Sequence, residues 1–136
     1  MTGALQVWEL VGPDLKKVVE VEKPSAFKCG TFGASGISDR NLATGDFSGK
    51  ICIWDLEHLG KPVYQTQAHA SIINAIDGCG GQARGYGAPE LVTCGRDGAV
   101  RVWDVRQEGA PVAAFEPKEG QQVRYRQMMP SNDAVR

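Results

Sequence analysis

LVTCGRDGAVRVWDV, residues 91–105, is the stretch that decides the fold. Two short apolar runs flank the polar turn Arg96-Asp97-Gly98, and the second run ends in Trp103-Asp104. Val100 and Val102 alternate with Arg101, a period of two that belongs to a strand. Gly98, behind a short polar residue, supplies the positive φ that a hairpin turn needs. The segment reads as a β-hairpin, and a near copy, LATGDFSGKICIWDL, stands at residues 42–56.

Working outward, a third tryptophan completes a repeat. Trp8, Trp54 and Trp103 follow one another at intervals of 46 and 49 residues. Each has apolar residues one and three positions before it: Val7 and Leu5, Ile53 and Ile51, Val102 and Val100. Each is followed by an acid, Glu9, Asp55 or Asp104. Downstream of each tryptophan comes another short apolar run: LKKVVEV (15–21), KPVYQT (61–66) and APVAAF (110–115). Two units also open with such a run, AFKCGTF (26–32) and SIINAI (71–76). That is four short strands per unit, with no helical periodicity. The longer spacing is absorbed by GASGISDRN (33–41) and GCGGQARGYGAPE (78–90), loops between first and second strands, where insertions cost little.

Composition narrows the function classes. The chain has 136 residues, enough for a real core, with 42% apolar and 23% charged residues and a net charge of −1. A nearly neutral chain has no overall field to attract nucleic acid or an anionic membrane, so neither is expected as a partner. No apolar run approaches the roughly 20 residues that span a bilayer. Met1-Thr2-Gly3 leads straight into a strand pattern, with no signal-peptide core. Cys29, Cys52, Cys79 and Cys94 form no C-x-x-C pair and have no histidine cluster nearby, so no metal site is expected. Cys52 and Cys94 read as small buried hydrophobes in strands, and the compartment as reducing and intracellular.

Four-stranded units at this period, with Trp-Asp closing the third strand, resemble WD repeats, which stack as the blades of a β-propeller. The resemblance implies an all-β fold, a partial β-propeller of WD-repeat blades. It consists of two complete four-stranded blades plus the last two strands of a preceding blade. The division is residues 1–22 for the partial blade, 23–67 and 68–117 for the complete ones, and 118–136 for an irregular tail. In WD blades a hydrogen-bonded tetrad ties the strands together, and the matching residues of the third unit are His69, Thr93, Asp97 and Trp103. The resemblance implies a relay in which Asp97 holds the imidazole, which meets the Thr93 hydroxyl, which meets the indole N–H. The second unit departs from this pattern. Ser48 stands where the third unit has Asp97, and no histidine precedes its opening strand at Pro24-Ser25-Ala26. Its blade is expected to rest on packing of Phe27, Phe32, Ile51, Ile53 and Trp54.

Three features point elsewhere and are weaker. His69, Asp97 and a nearby Ser71 or Thr93 have the composition of a catalytic triad, but no G-x-S-x-G elbow is present. The other histidine, His58, falls in a turn. GCGGQA (78–83) fits the dinucleotide-binding glycine pattern, yet RGYGAPE follows where a helix is required, so no cofactor is expected. The tail EGQQVRYRQMMPSNDAVR carries arginines and Tyr125, too few for an RNA surface.

Strings outside the generic repeat narrow the resemblance. KCGTFG (28–33), INAIDG (73–78), GAPELVT (87–93) and RDGAVRVWDVRQ (96–107) resemble the WD-repeat dynein axonemal assembly factors over residues 3–117. That family implies a cytoplasmic, seven-bladed, non-enzymatic adaptor acting with a RuvB-like ATPase and prefoldin-like co-chaperone complex to stabilise dynein heavy chains. A propeller needs about 4–8 blades, so the chain reads as truncated at both ends. The competing readings are a generic WD interaction module, such as a ubiquitin-ligase substrate receptor or a histone-tail reader, and a non-functional propeller fragment.

Overall fold

The computed structural model describes residues 1–36, 38–81 and 87–118. Residues 119–136 and 82–86 lie outside the described residues. With them go nearly all of the expected irregular tail, including Tyr125, and the centre of the Gly-rich loop.

Every regular element among the described residues is a strand. In chain order these are β1 (Gly3–Val11), β2 (Asp14–Lys23), β3 (Phe27–Thr31), β4 (Asn41–Asp46), β5 (Lys50–Asp55), β6 (Tyr64–Gln67), β7 (Ile73–Cys79), β8 (Glu90–Gly95), β9 (Val100–Asp104) and β10 (Ala113–Phe115). They form three antiparallel sheets, each a simple meander: β1-β2, then β3-β4-β5-β6, then β7-β8-β9-β10. The chain is a partial β-propeller of WD-repeat blades, as the repeat implies.

The strand alternation explains how the sheets stack. In β5 the side chains point to opposite faces in turn. Ile51 and Ile53, with Ala43 of β4, pack against Ile73, Ile76, Leu91 and Trp103 of the third sheet. Cys52 and Trp54 point the other way, onto Leu5, Val7, Val19 and Val21 of the first sheet. A strand covered on both faces has no polar side to show water, which is why KICIWD is apolar almost throughout. The Phe27 ring meets Trp54 edge-on, with centroids 6.2 Å apart.

Two core expectations need correction. Phe32 does not pack in the second sheet and is 59% exposed, because β3 ends at Thr31 and the next residue has already left the sheet. Cys94 is only partly buried, since it lies on the outer face of the third sheet. Trp8 differs from its two counterparts: it is 50% exposed, whereas Trp54 and Trp103 are buried. Leu5 and Val7 take the face against the second sheet, so Trp8 falls on the opposite one. A register shift between Val7 and Trp8 pairs Trp8 with Lys17.

Candidate functional site

The third sheet brings four of the singled-out residues together beneath its β8–β9 turn. The chain reaches His69 just before β7, Thr93 sits mid-way along β8, Asp97 in the turn, and Trp103 near the end of β9. The indole Nε1–H of Trp103 donates to Thr93 Oγ1 at 3.0 Å. Thr93 Oγ1 lies 2.8 Å from His69 Nε2. His69 Nδ1 lies 2.9 Å from Asp97 Oδ1. The indole can only donate, so Thr93 accepts from it and turns its own proton to Nε2. That leaves the imidazole proton on Nδ1, aimed at the carboxylate. Asp97 also accepts from the backbone N–H of Ala99 (3.1 Å) and of Ala70 (3.2 Å). Burial pushes the Asp97 carboxyl up, but the bonds from His69, Ala99 and Ala70 outweigh it and hold the group below the usual carboxylate range.

The imidazole, hydroxyl and indole of this cluster are sealed, and only Asp97 is partly exposed. Thr93 is 1% exposed and His69 is buried, so neither offers a face to a substrate. Arg101 lies over it, with its guanidinium on the Ala68 carbonyl and on Glu116 at 2.7 Å. Gly95 explains why the space is free for the imidazole. A Cβ there would lie 2.4 Å from His69 Nδ1 and 2.5 Å from Asp97 Oδ1. The segment is also fastened to the second sheet: the N–H groups of Ala68 and His69 both donate to the Gly49 carbonyl at 2.9 Å.

The second sheet builds the same place differently. Phe27 pairs with Asp46 as Ile73 pairs with Gly95, which fixes the correspondence of the two sheets. Four residues before Phe27 stands Lys23, in the place of His69. Asp46 stands in the place of Gly95, where a side chain in the third sheet would strike the imidazole. Asp46 Oδ1 accepts from Ser48 N–H (2.8 Å), the Ser48 hydroxyl (2.7 Å) and Lys50 N–H (2.9 Å). The Lys50 amide matches that of Ala99, so Asp46 reaches from the strand end to hold a turn that Asp97 holds from within. Trp54 Nε1–H still donates to Thr44 Oγ1 at 2.9 Å, but the Thr44 proton goes to the Cys52 carbonyl at 3.2 Å. Lys23 is 8% exposed, donates to the Leu59 carbonyl at 2.6 Å, and places its ammonium 4.1 Å from the centroid of Trp54. Sequence reasoning missed both Lys23 and Asp46. The signal that could have found them is their offset from the strand pairs.

Other candidates have plain geometry. Gly78 is held by close packing: a Cβ would lie 2.7 Å from Ala34 N, which accounts for a glycine there without a phosphate. The end of the dinucleotide-like pattern, Gln82-Ala83, lies outside the described residues. Asp55, Glu57 and His58 bring one ligand atom each within 4.8 Å of one another, a group the sequence reading did not single out. His58 Nδ1 already lies 2.9 Å from Asp55 Oδ2 at the surface. That hydrogen bond raises the His58 pKa and lowers that of Asp55. Burial pushes the Cys52 thiol up to about 11, the opposite of an activated nucleophile. No helix among the described residues is long and apolar enough to cross a membrane.

Comparison with known proteins agrees with this architecture. Residues 60–104 match the family described as WD domain, G-beta repeat. The chain is 70% identical over 123 residues to Dynein axonemal assembly factor 10 of Chlamydomonas reinhardtii and 53% identical over 123 residues to that of Homo sapiens. Each match covers 90% of this chain and 34% of the relative, so the chain spans about a third of the length of the curated relatives it matches. A chain in the crystal structure of the mitotic checkpoint complex superposes with a TM-score of 0.60 at 20% identity, covering 83% of this chain and 32% of that one. That likeness speaks to the propeller fold alone.

Proposed function

We propose that this run of WD-repeat blades serves as a non-enzymatic scaffold in the assembly of axonemal dyneins. The observation that carries the reading is the 70% identity over 123 residues to the Chlamydomonas assembly factor. In this reading the chain acts in the cytoplasm. It binds dynein heavy chains and a RuvB-like ATPase and prefoldin-like co-chaperone complex, and it uses no cofactor.

His69, Thr93, Asp97 and Trp103 act in this reading as a structural tetrad, not as catalytic groups. The series of bonds from indole to carboxylate supports that role, as does the burial of Thr93, whose hydroxyl meets the imidazole. The blade division at residues 1–22, 23–67 and 68–117 belongs to the same reading. Its support is that the chain leaves one sheet and enters the next just after Lys23 and after Gln67.

The test is affinity capture with the tagged chain from extract of cells building cilia, probed for axonemal dynein heavy chains and the RuvB-like ATPases. Co-purification of both is the expected result. Their absence, with capture of a cullin-type ligase or of histone tails instead, would overturn the assignment in favour of another class of WD module.

A further inference from the structure

We propose that the groove at the seam of the first and second sheets binds an acidic side chain of an extended peptide, with the Lys23 ammonium as its counter-charge. The groove encloses about 520 Å³. That lies within the range of roughly 300–1,000 Å³ typical of ligand sites. Its lining includes Lys23, Lys50, Ser25, Gln65, Phe27 and Trp54.

The charge on Lys23 is the central observation. A buried ammonium is costly unless a counter-charge neutralises it. Lys23 has the Leu59 carbonyl and the face of Trp54, both of which stabilise it without cancelling its charge. No ion pair joins it to a carboxylate among the described residues. The ammonium has three donors, and the Leu59 carbonyl takes one.

The rest of the lining selects the ligand. Two carboxylates, Glu22 and Asp46, also border the groove. Glu22 is solvent-exposed, and Asp46 has three donors on Oδ1. Their charges disfavour a multiply charged phosphate more than a single carboxylate. Phe27, Trp54 and Pro62 give apolar walls for the methylenes of a glutamate side chain. Among the described residues β6, which contributes Gln65, is an edge strand, the kind of edge along which an extended peptide runs. Lys23 and its surroundings would hold such a side chain independently of any role in dynein assembly.

The test is titration of the 136-residue chain, followed by amide and indole NMR shifts, with the acetylated peptide (Ala-Glu)4 and its neutral counterpart (Ala-Gln)4. The glutamate peptide should move the Trp54 indole and the Lys23 and Gln65 amides while leaving the Trp103 indole in place. Lys23→Met should weaken binding by about tenfold or more, and Lys50→Gln should weaken it less. Equal response to both peptides, shifts confined to Lys16, Lys17 or Lys61, or unchanged binding by Lys23→Met would overturn the proposal. If Lys23→Met does not fold, the Lys23 Nζ signal of the wild-type chain decides. Failure of that signal to move with the glutamate peptide also overturns the proposal.

Discussion

The second and third sheets carry threonine, a turn glycine and tryptophan at matching places, Thr44, Gly49 and Trp54 against Thr93, Gly98 and Trp103, yet they fasten their turns by different chemistry. In the third sheet an imidazole crosses from the neighbouring loop to the turn carboxylate. In the second the carboxylate sits at the strand end, and a lysine lies over the tryptophan. The two solutions exclude each other, because the side chain of Asp46 begins where Gly95 leaves room for His69. The Trp–Thr bond is common to both, at 2.9 Å and 3.0 Å. What the repeat demands is therefore a buried donor matched to an acceptor and a turn whose amides are held. The particular residues are free to change so long as every buried polar atom finds a partner, and no buried side-chain nitrogen or oxygen among the described residues lacks one.

The widest effect should come from the tryptophans. Replacement of a buried Trp by Ala costs about 3–5 kcal/mol. Trp103→Ala should lie at the upper end, because it also takes a donor from Thr93, whose hydroxyl binds His69. Trp54→Ala should lie lower, because Thr44 bonds onward to a backbone carbonyl and no chain of buried side chains runs through it. Urea unfolding of the two variants checks this, and equal losses would mean that the wider network adds nothing.

Next come the two residues in the same structural place. His69→Ala should cost about 2–4 kcal/mol, since it strands the Thr93 hydroxyl and Asp97 with reduced partners. Lys23→Met removes a buried charge and keeps the packing volume, so its change should stay within about 1 kcal/mol. Matching losses in thermal melts would erase the distinction between the sheets.

A smaller pair tests the exclusion itself. Gly95→Ala should cost about 1–3 kcal/mol by driving a methyl into His69 and Asp97. Combined with His69→Ala, the same change should cost less than the sum, and a double-mutant cycle reads that coupling.

The smallest difference is in pH dependence. Asp55 and Asp104 occupy matching positions, but one pairs with His58 and the other with Arg106. The Arg106 hydrogen bonds hold the Asp104 pKa down to about 2. Its contribution is present above the ordinary carboxylate value near 3.8 and fades as pH falls toward 2. The His58 pKa is raised above its ordinary 6.5 by Asp55. That contribution is full below about 6.5 and is lost as pH rises through the raised value. Titration of the His58 ring and Asp104 carboxyl by NMR should show the two shifts in opposite directions. Asp55→Asn should lower the His58 pKa toward its ordinary value, with Glu57 still raising it.

Much of the fold was legible because its signals are local. Period-two alternation and turn glycines mark each hairpin, and the tryptophan spacing sets the repeat. The four residues bonded in the third sheet could be named only through the resemblance to WD repeats, which carries His69, Thr93, Asp97 and Trp103 over to matching positions. Lys23 and Asp46 were not legible for the same reason in reverse. A search for histidine and turn aspartate finds a gap in the second unit, and only the pairing register shows that other side chains occupy it. Phe32 misled because an apolar residue at the end of an apolar run gives no sign that the strand has already stopped. The exposure of Trp8 depends on which face of β1 meets the second sheet, a fact about stacking that no single strand encodes.

The conflict between a side chain at the Gly95 position and an imidazole at the His69 position also constrains descent. A blade that fastens its turn in one way meets a stability cost at either first step toward the other. Gaining the aspartate first collides with the histidine, and losing the histidine first leaves Thr93 and Asp97 each short of one partner. Each fastening is therefore a property of its own blade, exchanged at least cost when both positions change together.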